Sequence, residues 1–478
     1  MLCKNFLYPM LLRYFEEISA IPRGSGHEEG MVAYLSRFAK ERNLSFYTDE
    51  FKNVLIRLPA SEGYECAPSI LLQGHTDMVC EKNRGVEHNF LTDPLKLCVE
   101  DGWLRAKGTT LGADDGVAVA AMLALLDGAS EAHPELECLF TSCEEAGMEG
   151  AVGFDYSLIH SRMMVNMDGC DDGVILAGCA GGLRSHINLP VEEEASEEPC
   201  VEIRVGGLAG GHSGEDIHRG RINAVKLLGE ILAHLLVLYK DLRLISFWGG
   251  DKDNAIPREA EAKICLADRD GVKRILSELE KKLHENLVPE DEGLFLAVTD
   301  APSVESVMDR ASTERVIFLA AKIPNGVFAM NEDLKDQVST SRNLGGMFAD
   351  ITGAKAIFLS RSDYDENIDY SAGELEFYAS VLRGSCHHSY RFLGWNYAKE
   401  SEIRSRYGEA YRAVTGNEAR VETIHAGLEC GHIKHAIPDM DVISVGPTVL
   451  NLHSPEETLN LDSFARFFEI LLETLKYH

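Results

Sequence analysis

The chain has 478 residues and a formal net charge of −31, with 45% hydrophobic and 26% charged residues. This length allows a large core and more than one domain, and the composition is typical of a soluble globular protein. The negative charge argues against nucleic acid and anionic membrane surfaces as partners, because both are bound mainly through Lys and Arg. The longest apolar run, Val117–Leu126, is too short to cross a bilayer.

The 12 cysteines are scattered and include no Cys-x-x-Cys pair. Several lie in apolar runs, for example Cys138 and Cys265, which favours reduced, buried thiols over a disulfide framework. The apolar first ten residues are not followed by a signal-peptide cleavage pattern. These observations predict a cytoplasmic protein.

The first part of the chain alternates helices and strands. Helical spacing predicts helices over Phe6–Ala20 and Glu28–Glu41, and Ser45–Leu58 alternates like an edge hairpin. Short apolar strands follow, over Pro68–Gln73, Leu136–Thr141 and Met163–Met167. Between them lie a loop-rich excursion, Val86–Trp103, and a glycine-rich turn that opens a buried helix, Gly108–Gly116. This order predicts an α/β sheet with polar groups at its strand ends.

The pattern changes near Gly181-Gly182 and passes through an acidic, solvated stretch, Val191–Pro199. The next signals follow the order βαββαβ of a ferredoxin-like unit: Val201–Val205, Arg221–Leu238, Arg243–Trp248, Glu261–Leu266, Gly271–Leu287 and Leu294–Thr299. Residues 301–395 add one clear strand, Lys355–Leu359, before the α/β pattern returns with Glu400–Thr415, Asp441–Val445 and Leu461–Lys476. We therefore predict a mostly parallel-sheet catalytic domain of residues 1–182 and 396–478. Residues 183–395 would form an inserted α+β ferredoxin-like lid or dimerisation domain.

Imidazole and carboxylate groups follow several predicted strands: His75, Asp77, Asp114, Asp115, Glu144, Glu145, Asp168 and, much later, His453. Each alone has an ordinary structural explanation as a surface histidine, a helix cap, a solvated pair or a turn. Their joint position after successive strands is harder to explain in that way. Imidazole and carboxylate without thiolate suit zinc, manganese or cobalt. His212, within Gly210–Gly214, fits either a glycine-rich hairpin loop or a group that stabilises an oxyanion.

Two histidines and three carboxylates could serve two metal ions if one carboxylate bridged them. Two divalent ions carry +4 and three carboxylates −3, so a bound hydroxide would neutralise the site and act as nucleophile at neutral pH. Glu144 and Glu145 would lie on an extended turn and point in different directions, one toward a metal and one toward the substrate as general base. Asp77 can hold the second ring nitrogen of His75.

These residues lie in longer motifs that resemble a known family. Leu72–Asn83 resembles the first metal motif of the aminoacyl-histidine dipeptidases, also called cytosolic non-specific dipeptidases or peptidase D. They belong to the co-catalytic zinc aminoacylase/carboxypeptidase superfamily. The other motifs resemble the family in the same order: Gly108–Gly116, Thr141–Gly147, Gly210–Ala224, Asn254–Glu259, His425–Gly431 and His453–Glu456. The resemblance covers nearly the whole chain and is weakest at the first ten residues, the acidic stretch and residues 301–335.

The resemblance assigns a role to each candidate residue. The metal ligands would be His75, Asp114, Glu145, Asp168 and His453. Asp114 would bridge two divalent ions, for which Zn²⁺ is the preferred candidate and Co²⁺ and Mn²⁺ are alternatives. The resemblance also implies Glu144 as general base, Asp77 as orienting carboxylate and a cis Asp114–Asp115 bond.

The same resemblance implies a set of substrate-contacting residues. His212 would support the tetrahedral intermediate, with reach into a partner subunit's site as one option. Arg361 would bind the substrate's C-terminal carboxylate, where its two-pronged guanidinium fits. Asn254 and Gly427 would line the substrate site.

Two positions depart from the family pattern. Asp115 stands where close relatives often have Asn. Asp363 and Tyr364 follow Arg361 where relatives more often have Ser and a small or apolar residue. The second departure bears on substrate preference.

We therefore expect a metallo-dipeptidase that acts through a metal-bridging hydroxide, with Glu144 as general base. Dipeptide substrates of the Xaa-His type, including β-alanyl-histidine, and a homodimer through the inserted domain are implied by the resemblance alone. One alternative is an N-acyl amino acid amidohydrolase or a carboxypeptidase on the same di-metal centre. Another is a non-catalytic binding protein that keeps the fold, although five intact ligands and Glu144 argue against it.

Overall fold

A computed structural model of the chain describes residues 6–477. Within them lie twelve α-helices: α1 Pro9–Ser19, α2 Glu29–Glu41, α3 Ala113–Leu126, α4 Glu144–Gly147, α5 Glu149–Gly153, α6 Ala224–Leu238, α7 Arg269–Leu283, α8 Arg310–Lys322, α9 Asp365–Val381, α10 Glu402–Thr415, α11 Glu429–Ala436 and α12 Leu461–Thr474. Over the same residues, no helix combines the length and the apolar character needed to cross a membrane.

The strands come in two series. Those in the first 200 residues are β1 Ser45–Thr48, β2 Val54–Leu58, β3 Ile70–His75, β4 Leu97–Glu100, β5 Trp103–Ala106, β6 Leu136–Thr141, β7 Met163–Asn166, β8 Val174–Cys179, β9 Gly181–Leu189 and β10 Glu193–Ala195. The later ones are β11 Cys200–Gly206, β12 Gly211–His212, β13 Arg243–Gly249, β14 Ala255–Ile256, β15 Ala260–Cys265, β16 Phe295–Ala301, β17 Ser306–Met308, β18 Gly326–Met330, β19 Val338–Asp350, β20 Gly353–Ser362, β21 Ser385–Phe392, β22 Arg420–Ile424, β23 Asp441–Ser444, β24 Val449–Leu450 and β25 Thr458–Asn460.

The chain forms two compact units. The first comprises the described residues of Met1–Gly178, Trp395–Thr423 and Leu428–His478, and the second comprises Cys179–Gly394 and Ile424–Gly427. Each unit has its own hydrophobic core. The predicted domain limits, 1–182 with 396–478 and 183–395, stay a prediction.

The first unit is built on an eight-stranded sheet in the order β1-β2-β6-β3-β7-β23-β8-β22. Its four central strands, β6, β3, β7 and β23, are parallel, while β1, β2 and β8 pair antiparallel with their neighbours. The sheet is thus mixed, and three of the predicted ligands, His75, Glu145 and Asp168, lie at or just after the ends of its parallel strands. Strand β3 is buried along its whole length, as expected for a strand that is covered on both faces.

Helix α3 is apolar on all sides and buried from Val117 to Leu126, which is typical of a central helix. Helix α1 lies against it. A Cβ at Gly116 would lie 3.2 Å from Phe15 and 3.4 Å from Ile18. The glycine therefore lets the two helices approach closely next to the aspartate pair.

The second unit contains a nine-stranded sheet whose main path runs β16-β11-β15-β13-β19-β20-β9-β21. Its first four strands, with α6 and α7, have the chain order and the antiparallel pairing of a ferredoxin-like βαββαβ unit. The mixed α/β fold class is confirmed. The long hairpin of β19 and β20 extends this sheet, and the sequence predicted only the part over Lys355–Leu359.

One expectation about local structure was wrong. Cys265 is not a reduced thiol, because it forms a disulfide with Cys200. These cysteines stand opposite each other on β11 and β15, a pairing that their separation in sequence conceals. The predicted loop-rich excursion Val86–Trp103 is mostly irregular, and near its end it contains β4, which pairs with β5.

Candidate metal centre

The parallel strands of the first unit deliver polar groups to one edge of the sheet. His75 is the last residue of β3, and Asp168 follows β7 by two residues. Glu144 and Glu145 follow β6 after Ser142 and Cys143. Because parallel strands end at the same edge, these side chains converge there, as the sequence predicted.

Asp114 lies at the centre of this cluster, and its two oxygens face different partners. Its Oδ1 lies 2.8 Å from His75 Nε2, which is also 3.8 Å from Asp168 Oδ1. Its Oδ2 lies 3.2 Å from His453 Nε2, which is 3.2 Å from Glu145 Oε2. Each carboxylate oxygen of Asp114 therefore faces the Nε2 of one histidine, and each of these Nε2 atoms also faces one further carboxylate.

The backbone around Asp114 departs from helix geometry. The Asp114–Asp115 peptide bond is cis, as expected. The Asp115 side chain turns back under the cluster, where one oxygen accepts the His75 N–H at 3.2 Å. A Cβ at Gly74 would lie 2.4 Å from that oxygen, so a glycine is needed before His75.

Glu144 and Glu145 do not lie on an extended turn, as the sequence had predicted. They open the short helix α4, and Cys143 before them has a positive φ of 52°. The Asp77 carboxylate caps this helix, accepting the N–H of Glu144 at 3.1 Å and of Glu145 at 3.2 Å. Its Oδ1 also lies 3.4 Å from His75 Nδ1.

Burial and crowding push the pKa values of these groups apart. Burial raises the pKa of Asp168 well above its usual range, and the Asp114 charge adds to this. Burial also raises the pKa of Glu144, against the opposing charge of His75. For Asp114 the two histidines outweigh burial and hold the pKa well below its usual range. Hydrogen bonds to two carboxylates raise the pKa of His453 to about 10. Such a crowd of acidic groups favours a bound cation.

The residues fit a metal centre. Two sets of three residues each bring their ligand atoms within 4.8 Å of one another. One set is His75, Asp114 and Glu145, and the other is His75, Asp115 and Asp168. Glu145 Oε1 is buried without a hydrogen-bond partner, which is unusual unless another group occupies that position. Nitrogen and carboxylate oxygens without thiolate suit zinc or manganese. Asp115 was not among the predicted ligands, and its contacts with backbone N–H groups favour a supporting position.

Two supporting carboxylates were missed by the sequence reasoning. Glu429 is buried and accepts hydrogen bonds from Gln73 Nε2 at 2.6 Å and Thr141 Oγ1 at 2.7 Å. Burial raises the pKa of Glu429 to about 7. The other is Glu457, which contacts the loop before Asp114. The sequence held two signals for Glu429: Gln73 is a polar residue inside an apolar strand, and Glu429 itself lies within the motif His425–Gly431.

The remaining predicted residues lie in the second unit. Arg361 is buried with its Nε unpartnered, and burial lowers its pKa to about 10. Burial and the charge of Arg361 also lower the pKa of His212. The Asn254 carbonyl accepts the Ser213 N–H at 2.8 Å, which ties its segment to that of His212.

A further histidine of the second unit, His425, lies in the motif His425–Gly431. Its Nε2 lies 2.7 Å from Ser341 Oγ. Burial and then Arg361 lower its pKa to about 3, so it is neutral at pH 7. Gly427 lies two residues beyond it in the same unit.

Residues 71–477 match the sequence profile of Peptidase family M20/M25/M40. The chain belongs to this family. The match begins at the strand that ends in His75 and includes every candidate site residue. The family that the motifs resembled is thereby confirmed.

Individual relatives agree with this assignment. The chain is 36% identical over 467 residues to the cytosol non-specific dipeptidase of Escherichia coli (strain K12), which covers 97% of this chain and 96% of that protein. The crystal structure of aminoacylhistidine dipeptidase from Vibrio alginolyticus is 33% identical with a TM-score of 0.92, covering 98% of this chain and 97% of that one. An aminopeptidase from Bacillus cereus, 13% identical with a TM-score of 0.57 over 98% of both chains, shares the fold.

Proposed function

We propose that the protein is a metal-dependent dipeptidase whose substrates include Xaa-His dipeptides such as β-alanyl-histidine. The observation that carries this proposal is the position of Asp114, whose two oxygens face two separate pairs of candidate ligands. Relatives that are 36% and 33% identical are named a non-specific dipeptidase and an aminoacylhistidine dipeptidase. The name of the first relative, a cytosol dipeptidase, supports a cytoplasmic location.

Five residues would hold two divalent metal ions, with Zn²⁺ preferred over Co²⁺ and Mn²⁺. His75 and Asp168 would hold one ion, His453 and Glu145 the other, and Asp114 both. Such ions, when bound, lower the pKa of a water molecule and polarise the scissile carbonyl. The distances from His75 and His453 to opposite oxygens of Asp114 support this division.

Glu144 would be the general base. It takes the proton of the attacking water and then delivers it to the leaving amine. Asp77 would orient His75 through Nδ1 and fix Glu144 through the backbone of α4.

The other roles rest on the resemblance. Arg361 would bind the substrate carboxylate, His212 would stabilise the oxyanion, and Asn254 and Gly427 would contact the substrate. The buried guanidinium of Arg361, with its unpartnered Nε, supports the first of these roles. The inserted region would act as a lid and would join two chains in a homodimer.

The test compares metal content and dipeptide hydrolysis for the wild type and Glu144→Ala. We expect the wild type to hold about two divalent ions and to hydrolyse β-alanyl-histidine. Glu144→Ala should keep its metal and lose about 10²–10⁴-fold in kcat, the usual contribution of a general base. Glu149→Ala, an exposed residue of the next helix, is the control. A metal-free wild type, or a Glu144→Ala variant as fast as wild type, would refute the proposal.

The same assay separates the alternative activities. A dipeptidase should cleave the free dipeptide in preference to its N-acetylated form. Preference for the N-acetylated form would indicate an amidohydrolase or a carboxypeptidase on the same centre. No hydrolysis of either form by the metal-loaded protein would indicate a binding protein.

A further inference from the structure

Glu457 makes an unusual set of contacts beside the metal centre. Its Oε2 accepts the N–H groups of Leu111 at 2.8 Å and Gly112 at 2.9 Å. Its Oε1 accepts those of Ala113 at 2.8 Å and Asp114 at 3.3 Å. One buried carboxylate thus receives four consecutive backbone N–H groups, the last of which belongs to the predicted bridging ligand.

Glu457 belongs to the segment that carries a second ligand. It lies four residues after His453, and the intervening residues form a tight turn in which the Ser454 carbonyl accepts the Glu457 N–H at 3.1 Å. The Glu457 contacts therefore join two parts of the chain that are more than 300 residues apart in sequence. Both parts place a ligand on the same side of the candidate centre, since His453 Nε2 faces Asp114 Oδ2 at 3.2 Å.

The Asp114 loop is also held from its other side. The Gly112 carbonyl accepts a hydrogen bond from the buried Arg23 Nη2, at 2.5 Å. The Nη1 of the same guanidinium donates to the carbonyls of Thr76, at 3.0 Å, and Asp77, at 3.1 Å. Arg23 thus fixes the loop relative to the segment of His75, and Glu457 fixes it relative to the segment of His453.

We propose that Glu457 is a positioning residue of the metal centre, which sets the place of Asp114 relative to His453. This inference rests on the proposed function, because it assumes that both residues bind metal. Each Glu457 oxygen accepts two N–H groups, so an amide in its place would direct an NH₂ group against N–H donors. The loop would have to shift, and Asp114 Oδ2 would move with it.

A simpler role is possible for a carboxylate at this position, because α3 begins at Ala113. A helix cap contributes to folding stability through the orphan N–H groups of the first turn. Such a cap would leave the affinity and the geometry of bound metal unchanged. Measuring the affinity and the geometry of the bound metal therefore distinguishes a positioning residue from a helix cap.

The experiment compares Glu457→Gln with Glu456→Gln, a matched change at the exposed neighbouring residue. Zn²⁺ affinity is measured by competition with a chromophoric chelator, and the visible spectrum is recorded after loading with Co²⁺. We expect Glu457→Gln to weaken binding of at least one Zn²⁺ by about 10–100-fold, the usual effect of losing a supporting contact. We also expect a changed Co²⁺ absorption band and a lower kcat at saturating metal, whereas Glu456→Gln should match the wild type.

If Glu457→Gln does not fold, Glu457→Asp retains the charge but is one methylene too short to reach all four N–H groups. It should show an intermediate loss of Zn²⁺ affinity. The inference is overturned if a folded Glu457 variant has the Zn²⁺ affinity and Co²⁺ spectrum of the wild type, even when its melting temperature falls. Failure of the proposed function is a separate result, seen in a wild type that binds no metal or does not hydrolyse dipeptides.

Discussion

Asp77 contacts three parts of the candidate centre at once. Its carboxylate faces His75 Nδ1 at 3.4 Å, accepts the Ser25 hydroxyl at 2.7 Å and caps the helix that begins with Glu144. It is fully buried, so its charge is poorly screened. One residue can therefore orient a metal ligand and the general base together.

This arrangement predicts different outcomes for two matched truncations. Asp77→Ala should lower kcat by about 10–100-fold while most of the metal stays bound, because it removes a supporting contact and no ligand. His75→Ala should lower kcat and empty at least one metal position. Metal content by atomic emission and dipeptide hydrolysis, measured on the same samples, check both outcomes.

Ser25→Ala provides the control, because it removes only one hydrogen bond to Asp77. It should retain metal and most of its activity. If Asp77→Ala lost metal as completely as His75→Ala, Asp77 would have to be regarded as a ligand.

Sequence motifs predicted the candidate ligands and Asp77 beside them, but not Glu457 and Arg23, which hold the Asp114 loop. His75, Asp114 and Glu145 follow strands or glycine turns, which is a local signal. Glu457 and Arg23 act on backbone groups of distant segments. No local pattern reports such a contact, because a carboxylate that accepts backbone N–H groups looks in sequence like any other Glu.

Helix α3 is bounded by two glycines with positive φ angles. Gly112, before its first turn, has φ 65°, and Gly128, after its last, has φ 88°. A Cβ at Gly112 would lie 2.5 Å from Arg23 Nη2 and 2.8 Å from Met78 Sδ, whereas a Cβ at Gly128 would meet nothing within 4 Å. A substitution at Gly128 therefore tests backbone strain alone, whereas a substitution at Gly112 tests backbone strain together with steric crowding.

Alanine at these two positions should therefore have unequal effects. Gly128→Ala should cost about 1 kcal/mol, the usual penalty of a left-handed backbone for a residue with a Cβ. Gly112→Ala should cost about 1–3 kcal/mol more, the range for forced overpacking, and should also weaken metal binding. Urea denaturation and Zn²⁺ competition measure the two quantities. Equal losses of stability, or wild-type Zn²⁺ affinity in Gly112→Ala, would show that the loop tolerates displacement.

Elements with a strong periodic signal were predicted well, and those that depend on tertiary contacts were not. The amphipathic helix α1 and the buried strand β3 agree with the sequence prediction. The four residues of helix α4 were expected to form an extended turn. They are helical in the structure, where Asp77, which is distant in sequence, caps the helix. Hairpin β19/β20 was largely missed, since buried Ser339, Thr340 and Ser341 give it a polar pattern.

At the scale of the whole molecule, each of the two units has its own large hydrophobic core, and buried charge is distributed unevenly between the units. The first unit holds the candidate ligands together with the buried carboxylates of Asp77, Glu429 and Glu457. The second unit has its own apolar core and ferredoxin-like strand order. Units with separate cores can unfold in separate transitions.

Removal of metal should therefore lower the melting temperature of the first unit only. With free metal at about 1,000 times its Kd, binding stabilises the folded state by about 4 kcal/mol. For a domain of this size that corresponds to a change in Tm of roughly 10 °C, at about 2–4 °C per kcal/mol. Differential scanning calorimetry should show one transition that moves to lower temperature with chelator and one that does not.

His75→Ala identifies the source of the shift, because a protein that lacks a ligand should already melt at the lower temperature and respond little to chelator.

Without metal, the crowded carboxylates repel one another, so the shifted transition should also recover partly at lower pH as they gain protons. This sign follows from the pKa of Asp168 and Glu144, which lies above the usual range in the folded protein. Protonation below that raised pKa favours the folded state until the unfolded carboxylates are also protonated. Equal shifts of both transitions would mean that the two units unfold together.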